Sequence, residues 1–515
     1  MVVKLGLFNF KSIADLGELE LRPLTVLCGP NASGKSSVLQ SLLMLSQTFE
    51  GPAVDRAPVL LNGPLVRLGS FREVVRGYDL QLPVTLKLEF DVAGHNVEHA
   101  RPALWAVAAG TALEDEGVAS MWDVTSLAFE VTLAAAEHSG PAWQRFPFVS
   151  RLATRAAGSD EVYFEMSIER PAPDQVATIR YTLSGDDGPR RNEFSADVTL
   201  HRLKPDEVVL AEDLGASYAS RRLRFTSPFM VRGSFAFNLR GSDFGQRDMD
   251  ARALRLSCAL IDVIATALGP TLKYVGPLRA EPQSDYPVTS DAADIGPRGE
   301  NAAQVLAQEY NRPCDRPRLD SDSDDVEQNN STVLEELQHW FDVMELGRLQ
   351  AVASETGVEL TLTSSATGSV PVSLAGTGFG VSQLLPILLQ GLRMQPQDTL
   401  LLEQPEIHLH PKLQMQVADF LISLAKIDRS VVVETHSDHV VSRVVRRIVE
   451  GQLSPEDAAI YFAHNDEHGT RFERVEVDDV FGIVNWPEGF FDQDADEQEA
   501  ILRASLRRRA DTGRN

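Results

Sequence analysis

Apolar and polar positions follow two rhythms along this chain. Near the start, Leu24-Thr25-Val26-Leu27-Cys28 is a short apolar run that reads as a buried strand. Ser37-Val38-Leu39-Gln40-Ser41-Leu42-Leu43 reads as the beginning of a helix. Upstream, Lys4 to Phe10 and Leu16 to Leu21 predict two strands around a turn. A Gly/Pro-bounded segment follows from Leu61 to Phe71. Between about 81 and 240 the pattern becomes alternation, as in Val84-Thr85-Leu86-Lys87-Leu88-Glu89-Phe90 and Val162 to Ile168. Turn clusters such as Gly185-Asp186-Asp187-Gly188 separate these runs, which predicts a β-rich insertion with antiparallel pairing. Over 248–270 the spacing turns helical, through Leu254, Leu256, Ala259, Leu260, Val263, Ile264 and Ala267. Tyr274 to Arg279 reads as a strand ending in a tight turn. Residues 315–330 are acidic and apolar-poor and read as a linker. Val333 to Leu349 is an amphipathic helix and 358–374 is strand-like, with no repeat of 20–50 residues anywhere.

These elements predict an α/β fold, a mixed sheet with flanking helices that carries a β-rich insertion and a helical region. The expected divisions are 1–80, 81–245, 246–350 with the linker at 315–330, 351–462, and a tail at 463–515. At 515 residues the chain exceeds what one compact core accommodates. Its 43% hydrophobic and 24% charged content is ordinary for a globular protein and leaves that picture unchanged. The formal net charge of -26 does change it. Non-specific DNA binding draws on Lys and Arg displacing counterions, so any DNA contact must be confined to a local basic patch or belong to a partner. Cys28, Cys258 and Cys314 are odd in number and far apart, offering neither a disulfide framework nor metal spacing. No apolar run approaches the roughly 18 residues of a membrane span, and the first residues run straight into strand-like sequence without a signal peptide. The expectation is a cytoplasmic protein with no membrane contact.

Candidate chemistry begins at Gly29-Pro30-Asn31-Ala32-Ser33-Gly34-Lys35-Ser36, which fits the G-x-x-x-x-G-K-[ST] pattern between a strand and a helix. Converging backbone N–H groups and the helix dipole make such a turn an anion site. Lys35 reaches toward the β- and γ-phosphates of a nucleotide, Ser36 holds Mg²⁺, and Ser37 opens the helix. Asp398-Thr399-Leu400-Leu401-Leu402-Glu403-Gln404-Pro405-Glu406 is an apolar strand ending in a carboxylate, the Walker B arrangement, with Glu403 as the Mg²⁺ carboxylate. About twenty positions earlier, Gly376-Thr377-Gly378-Phe379-Gly380-Val381-Ser382-Gln383 is a Gly-rich turn feeding an apolar helix, a second anion site through Gly378, Gly380, Ser382 and Gln383. Ser430 to Glu434 is a β-branched strand ending in Thr435-His436, placing His436 to sense a γ-phosphate. His408, His410 and His439 have no cysteine partner and no HExxH spacing, so packing or capping suits them better than a metal.

The order of these motifs resembles an ATPase head of the ABC and SMC type. Phe8-Asn9-Phe10-Lys11-Ser12 followed by Gly29-Pro30-Asn31 is similar to the beginning of RecF- and SMC-related proteins. Leu402 to Pro411, Glu434 to His439 and Trp486-Pro487-Glu488-Gly489-Phe490-Phe491-Asp492 resemble bacterial AAA-type ATPases with a C-terminal domain of unknown function, relatives of the OLD ATPases. The resemblance implies a P-loop head binding ATP and Mg²⁺, and a homodimer or larger homo-oligomer in which the Gly-rich turn of one copy touches the nucleotide of the other. It further implies a conformational switch with a protein effector in genome or phage defence, with a RecF-like repair ATPase or a nucleotide-gated scaffold as alternatives. One departure stands out. The ABC pattern has a water-orienting glutamate directly after the Mg²⁺ carboxylate, and here that place is Gln404. A glutamine can hydrogen-bond water but cannot take its proton at neutral pH, so hydrolysis is expected to be slow, with Glu406 as the alternative. The tail acids Asp466, Glu467, Asp478 and Asp479 do not form the spaced set of a Toprim nuclease, and no intrinsic nuclease is expected.

Overall fold

The computed structural model describes residues 2–50, 59–91, 126–135, 147–158, 162–168, 175–183, 190–201, 223–226, 234–239, 264, 267–287, 294–319, 331–353, 357–363, 370–377, 379–467, 469–491 and 493–512. Most of the helical stretch expected at 248–270, residues 320–330 of the linker, and Gly378 of the Gly-rich turn lie outside them.

A six-stranded sheet organises the two ends of the chain. Its strands are β1 (Leu24–Cys28), β2 (Leu272–Val275), β3 (Thr399–Glu403), β4 (Ser430–Glu434), β5 (Ala458–Asp466) and β6 (Gly469–Val475), in the order β2-β3-β4-β1-β5-β6. The first five run parallel and β6 closes the edge antiparallel. Parallel strands are covered on both faces, which explains why they read as unbroken apolar runs rather than alternations. Leu400 and Leu402, Val431 and Val433, and Leu24, Val26 and Cys28 face one core, while Leu401, Val432 and Leu27 face the other. Helix α1 (Lys35–Glu50) lies in the second core, and α2 (Phe379–Arg393), α3 (Pro411–Ala425) and α4 (Asp438–Val449) lie in the first.

Caps fix where two of these helices start. His410 Nδ1 accepts the Lys412 N–H at 3.3 Å with Pro411 in the first turn, and Ser437 Oγ accepts the Val440 N–H at 3.2 Å. His410 thus has the capping role that its sequence context suggests.

The β-rich stretch is joined to the N-terminus instead of standing apart from it. An eleven-stranded antiparallel sheet begins at Ile13–Asp15 and Val2–Phe10, with the short strand Leu19–Glu20 paired beside it. It continues through Val84–Asp91, Ser126–Ala135, Pro147–Ala156, Val162–Ile168, Gln175–Leu183, Arg190–His201 and Ser234–Leu239 to Leu223–Thr226. Val84–Asp91 alternates buried and non-buried positions without a break, which is the period-two pattern the sequence carries. Residues 315–319 are held in place: Arg429 pairs with Asp315, and Lys426 Nζ donates to the Leu319 carbonyl at 2.6 Å. The tail folds back onto the sheet, where the buried Phe490 ring meets Phe462 edge to face with centroids 5.2 Å apart. Among the described residues no helix is long and apolar enough to cross a membrane.

Candidate functional site

The loop between β1 and α1 needs its glycines for space as well as for conformation. Gly29 has φ 133° and Gly34 φ 91°, both in the region that favours glycine. A side chain at Gly29 would come within 2.7 Å of the Ala463 carbonyl, and one at Gly34 would collide with the Thr470 hydroxyl. The loop is therefore pressed against β5 and β6, with its backbone turned toward a cavity of about 630 Å³. Asn31, Ala32, Ser33, Gly34, Lys35, Ser36 and Ser37 line that cavity together with Gln404, Glu434 and His436. Lys35 is buried and folds back over its own loop, its Nζ donating to the carbonyls of Gly29 at 2.9 Å and Pro30 at 2.7 Å. Burial lowers its pKa.

The carboxylate beside Ser36 is Glu434 at the end of β4, where sequence reasoning places the metal carboxylate at Glu403. Ser36 Oγ donates to Glu434 Oε1 at 2.9 Å. Glu434 Oε2 is buried without a hydrogen-bond partner among the described residues. Burial first, and then the neighbouring Glu403 carboxylate, raise the Glu434 pKa to about 7. Glu403 lies opposite Glu434 in the parallel register of β3 and β4, but its Oε1 accepts the Tyr274 hydroxyl at 2.8 Å. Burial raises its pKa, opposed by that hydrogen bond and by the Lys11 charge. A hydroxyl, a carboxylate with an unpartnered buried oxygen and a second carboxylate behind it form an oxygen set suited to the Mg²⁺ of a bound nucleotide, which takes one or two protein ligands beside phosphate and water. Ser36 and Glu434 would hold that ion. Among the described residues no larger His, Cys, Asp or Glu cluster suited to a metal is present.

The two residues left open for orienting water have separate placements. Gln404 lines the cavity in a left-handed conformation, φ 45°, its N–H donating to the Glu434 carbonyl at 2.7 Å. Glu406 lies outside the cavity, with both oxygens engaged: Oε2 accepts the Thr435 hydroxyl at 2.8 Å and Oε1 the His436 N–H at 2.6 Å. It braces the turn that presents His436. The His436 ring sits with Nδ1 3.0 Å from the Gly29 carbonyl, an arrangement in which Nδ1 carries the proton and donates. Burial and then Lys35 lower its pKa, which keeps the ring neutral.

None of the described residues of the Gly-rich turn lines this cavity. Gly380, at the start of α2, lies close to the His408 carbonyl, and Ser382 and Gln383 are buried. Their side chains are not presented at the surface. A contact from this turn to a second copy would fall to the exposed Ala375 and Gly376 and the half-exposed Thr377 and Gly380.

Sequence reasoning passes over three residues here. Glu434 carries the signal that singles out Glu403, a carboxylate closing a five-residue apolar strand, but it is read as the lead-in to Thr435-His436. Lys11 follows the first strand with φ 53°, lines the same cavity and bonds Gln40 through its Nζ. Tyr274 has no motif of its own, and its approach to Glu403 depends on the pairing of β2 with β3.

The AAA ATPase domain family matches residues 1–116 and 300–441, half of the chain, and a family described as a protein of unknown function (DUF3696) matches 453–500. No curated protein matches the sequence. Similar solved structures include an SMC head bound to the C-winged helix domain of ScpA, at 12% identity and a TM-score of 0.39 over 93% of this chain and 98% of that one. The SMC head domain from Thermotoga maritima is similar at 10% identity and a TM-score of 0.33, over 92% and 99% of the two chains. An SMC head with an extended coiled coil, bound to a C-terminal domain of ScpA derived from Pyrococcus furiosus, is similar at 12% identity and 0.35, over 92% and 96%.

Proposed function

Because the chain belongs to the AAA ATPase domain family, we propose that it is a slow, Mg²⁺-dependent ATPase that acts as a dimerising conformational switch. The observation that carries the Mg²⁺ part is the Ser36–Glu434 contact, with a second Glu434 oxygen buried and unpartnered beside Lys35 and His436. In this reading the loop 29–36 and Lys35 bind the phosphates. Ser36 and Glu434 would hold Mg²⁺, which would supply positive charge against the phosphates. Gln404 orients the attacking water through its side-chain amide but does not accept its proton, so turnover is slow. His436, joined to the phosphate loop through Gly29, reports the terminal phosphate to the turn braced by Glu406. Dimerisation and a role in genome or phage defence with a protein effector rest on the resemblance of the motifs alone. The direct test is ATP hydrolysis by the purified chain with and without Mg²⁺, alongside its mass with ATP and with ADP. An unchanged monomer in both nucleotide states removes the dimerising switch.

Gln404 also favours a second reading, a nucleotide-gated scaffold that binds ATP with little turnover. Gln404→Glu separates the two. Restoring a proton acceptor at the cavity wall is expected to raise kcat about 10- to 100-fold with KM little changed. An unchanged or lower rate would mean that Gln404 does not face the attacking water.

The raised pKa of Glu434 gives a further expectation. At low pH its carboxyl carries a proton, and a cation must displace that proton to bind. Mg²⁺-dependent ATP binding should therefore be strongest above pH 7 and weaken as pH falls through about 7, the value to which the Glu434 pKa is raised. The slope should approach about tenfold per pH unit on the acid side. Titrating a fluorescent ATP analogue with Mg²⁺ at several pH values reads this slope, and a flat profile would exclude Glu434 from the ion site.

A further inference from the structure

We infer that the segment from Tyr274 to Arg279, which belongs to none of the nucleotide-site motifs, is a positioning element for the metal-and-water end of the site: Tyr274 sets the Glu403 carboxylate and Arg279 sets the backbone of Gln404. The inference rests on the ATPase reading above and deepens it.

The segment starts on the edge strand β2, where Tyr274 pairs with Leu401 and Val275 with Leu402. That register brings the Tyr274 hydroxyl to Glu403 Oε1 at 2.8 Å. Burial first, and then the Glu403 charge, push the phenol pKa up, so Tyr274 keeps its proton and can only donate to the carboxylate. The chain then turns at Gly276, whose N–H donates to the Pro297 carbonyl at 2.7 Å. A side chain at Gly276 would lie 2.9 Å from the Tyr274 hydroxyl, so glycine leaves the phenol its place.

Beyond the turn the usual burial preference is reversed. Leu278 is 74% exposed, whereas the adjacent Arg279 is 5% exposed. Burying a guanidinium while leaving a leucine in water runs against transfer energetics, so specific contacts must hold this arrangement. Arg279 Nη2 donates to the carbonyls of Glu403 at 3.0 Å and Gln404 at 3.3 Å. Its Nε and Nη1 have no hydrogen-bond partner among the described residues. Gln404 is not a glycine yet has φ 45°, a conformation that persists only where its surroundings enforce it. Arg279 from one side and the Glu434 carbonyl from the other supply that enforcement. The guanidinium is also a buried cation, and the Glu406 charge acts on it. Such incompletely paired buried charges concentrate at functional sites.

Two substitutions in the full chain test this. Tyr274→Phe keeps the buried ring and removes one hydroxyl. It should leave ATP affinity in excess EDTA within about twofold, while raising the Mg²⁺ concentration for half-maximal binding about five- to tenfold. Arg279→Lys keeps the charge but loses the planar reach to both carbonyls. It should lower kcat about 30-fold with KM within about threefold, and adding Gln404→Ala to it should cost less than about threefold more, because the two act as one unit. Equal losses with and without Mg²⁺ in Tyr274→Phe, or losses that multiply in the double variant, would reduce the segment to ordinary support of the sheet. If the wild-type chain binds ATP without turning it over, the Mg²⁺ arm decides alone. A wild-type chain that binds no ATP sinks the ATPase reading and this inference with it.

Discussion

Lys35→Ala is expected to abolish ATP binding, weakening it at least about 100-fold, or ~2.7 kcal/mol. Two losses combine in this substitution. The ammonium is the cation of the phosphate loop itself, and charge-assisted contacts to phosphate oxygens are the strong class of hydrogen bond. The same Nζ donates to the Gly29 and Pro30 carbonyls and to Ser33 Oγ at 3.3 Å, so it also folds the loop around its own centre. Alanine leaves those acceptors facing a buried void. Equilibrium binding of a fluorescent ATP analogue measures the first loss, and thermal melting without nucleotide measures the second. Affinity within about threefold of wild type would show that the loop is not where the triphosphate sits.

The second large effect is expected at Glu434. Glu434→Gln preserves shape, and its amide oxygen still accepts from Ser36, but the negative charge is gone. Mg²⁺-stimulated turnover should fall about 100- to 1,000-fold, while ATP binding in EDTA is unchanged or tighter, since a carboxylate facing the phosphates has been removed. Glu403→Gln should cost far less, about tenfold, because Tyr274 can still donate to the amide oxygen and Glu434 still stands beside Ser36. Reversed magnitudes in these two variants would return the ion to Glu403. Purified variants assayed over a Mg²⁺ series decide between them.

Much of this site was legible before the structure because its signals are local. The phosphate loop needs a strand, two glycines at fixed offsets and a helix N-terminus, all within twenty residues. The strand ending at Glu403 and the one ending at Thr435-His436 were visible for the same reason: a covered parallel strand is a short apolar run with an abrupt polar end. Pairing is what a single chain does not spell out. Glu434 faces Ser36 because β4, not β3, lies beside β1. Nothing in the spacing of Glu403 and Glu434 says which strand takes that place. Arg279 was hidden by the opposite problem, since a charged residue in a turn normally points to water. The alternation at 81–240 announced antiparallel pairing, but the ladder that joins it to Val2–Phe10 is fixed by residues more than seventy positions apart.

That ladder has a mechanical consequence. The hairpin tip at Lys11-Ser12 lines the nucleotide cavity, and Ser12 is stitched to β6 through Thr470, O to N–H at 3.0 Å and hydroxyl to hydroxyl at 2.7 Å. The strand leading into that tip is hydrogen-bonded, strand after strand, all the way to Leu223–Thr226. At about 4.8 Å per strand this is an oar roughly 40 Å long, gripped at the phosphate end. A tilt of about 5° at the grip would sweep the far strand by about 3 Å over that length.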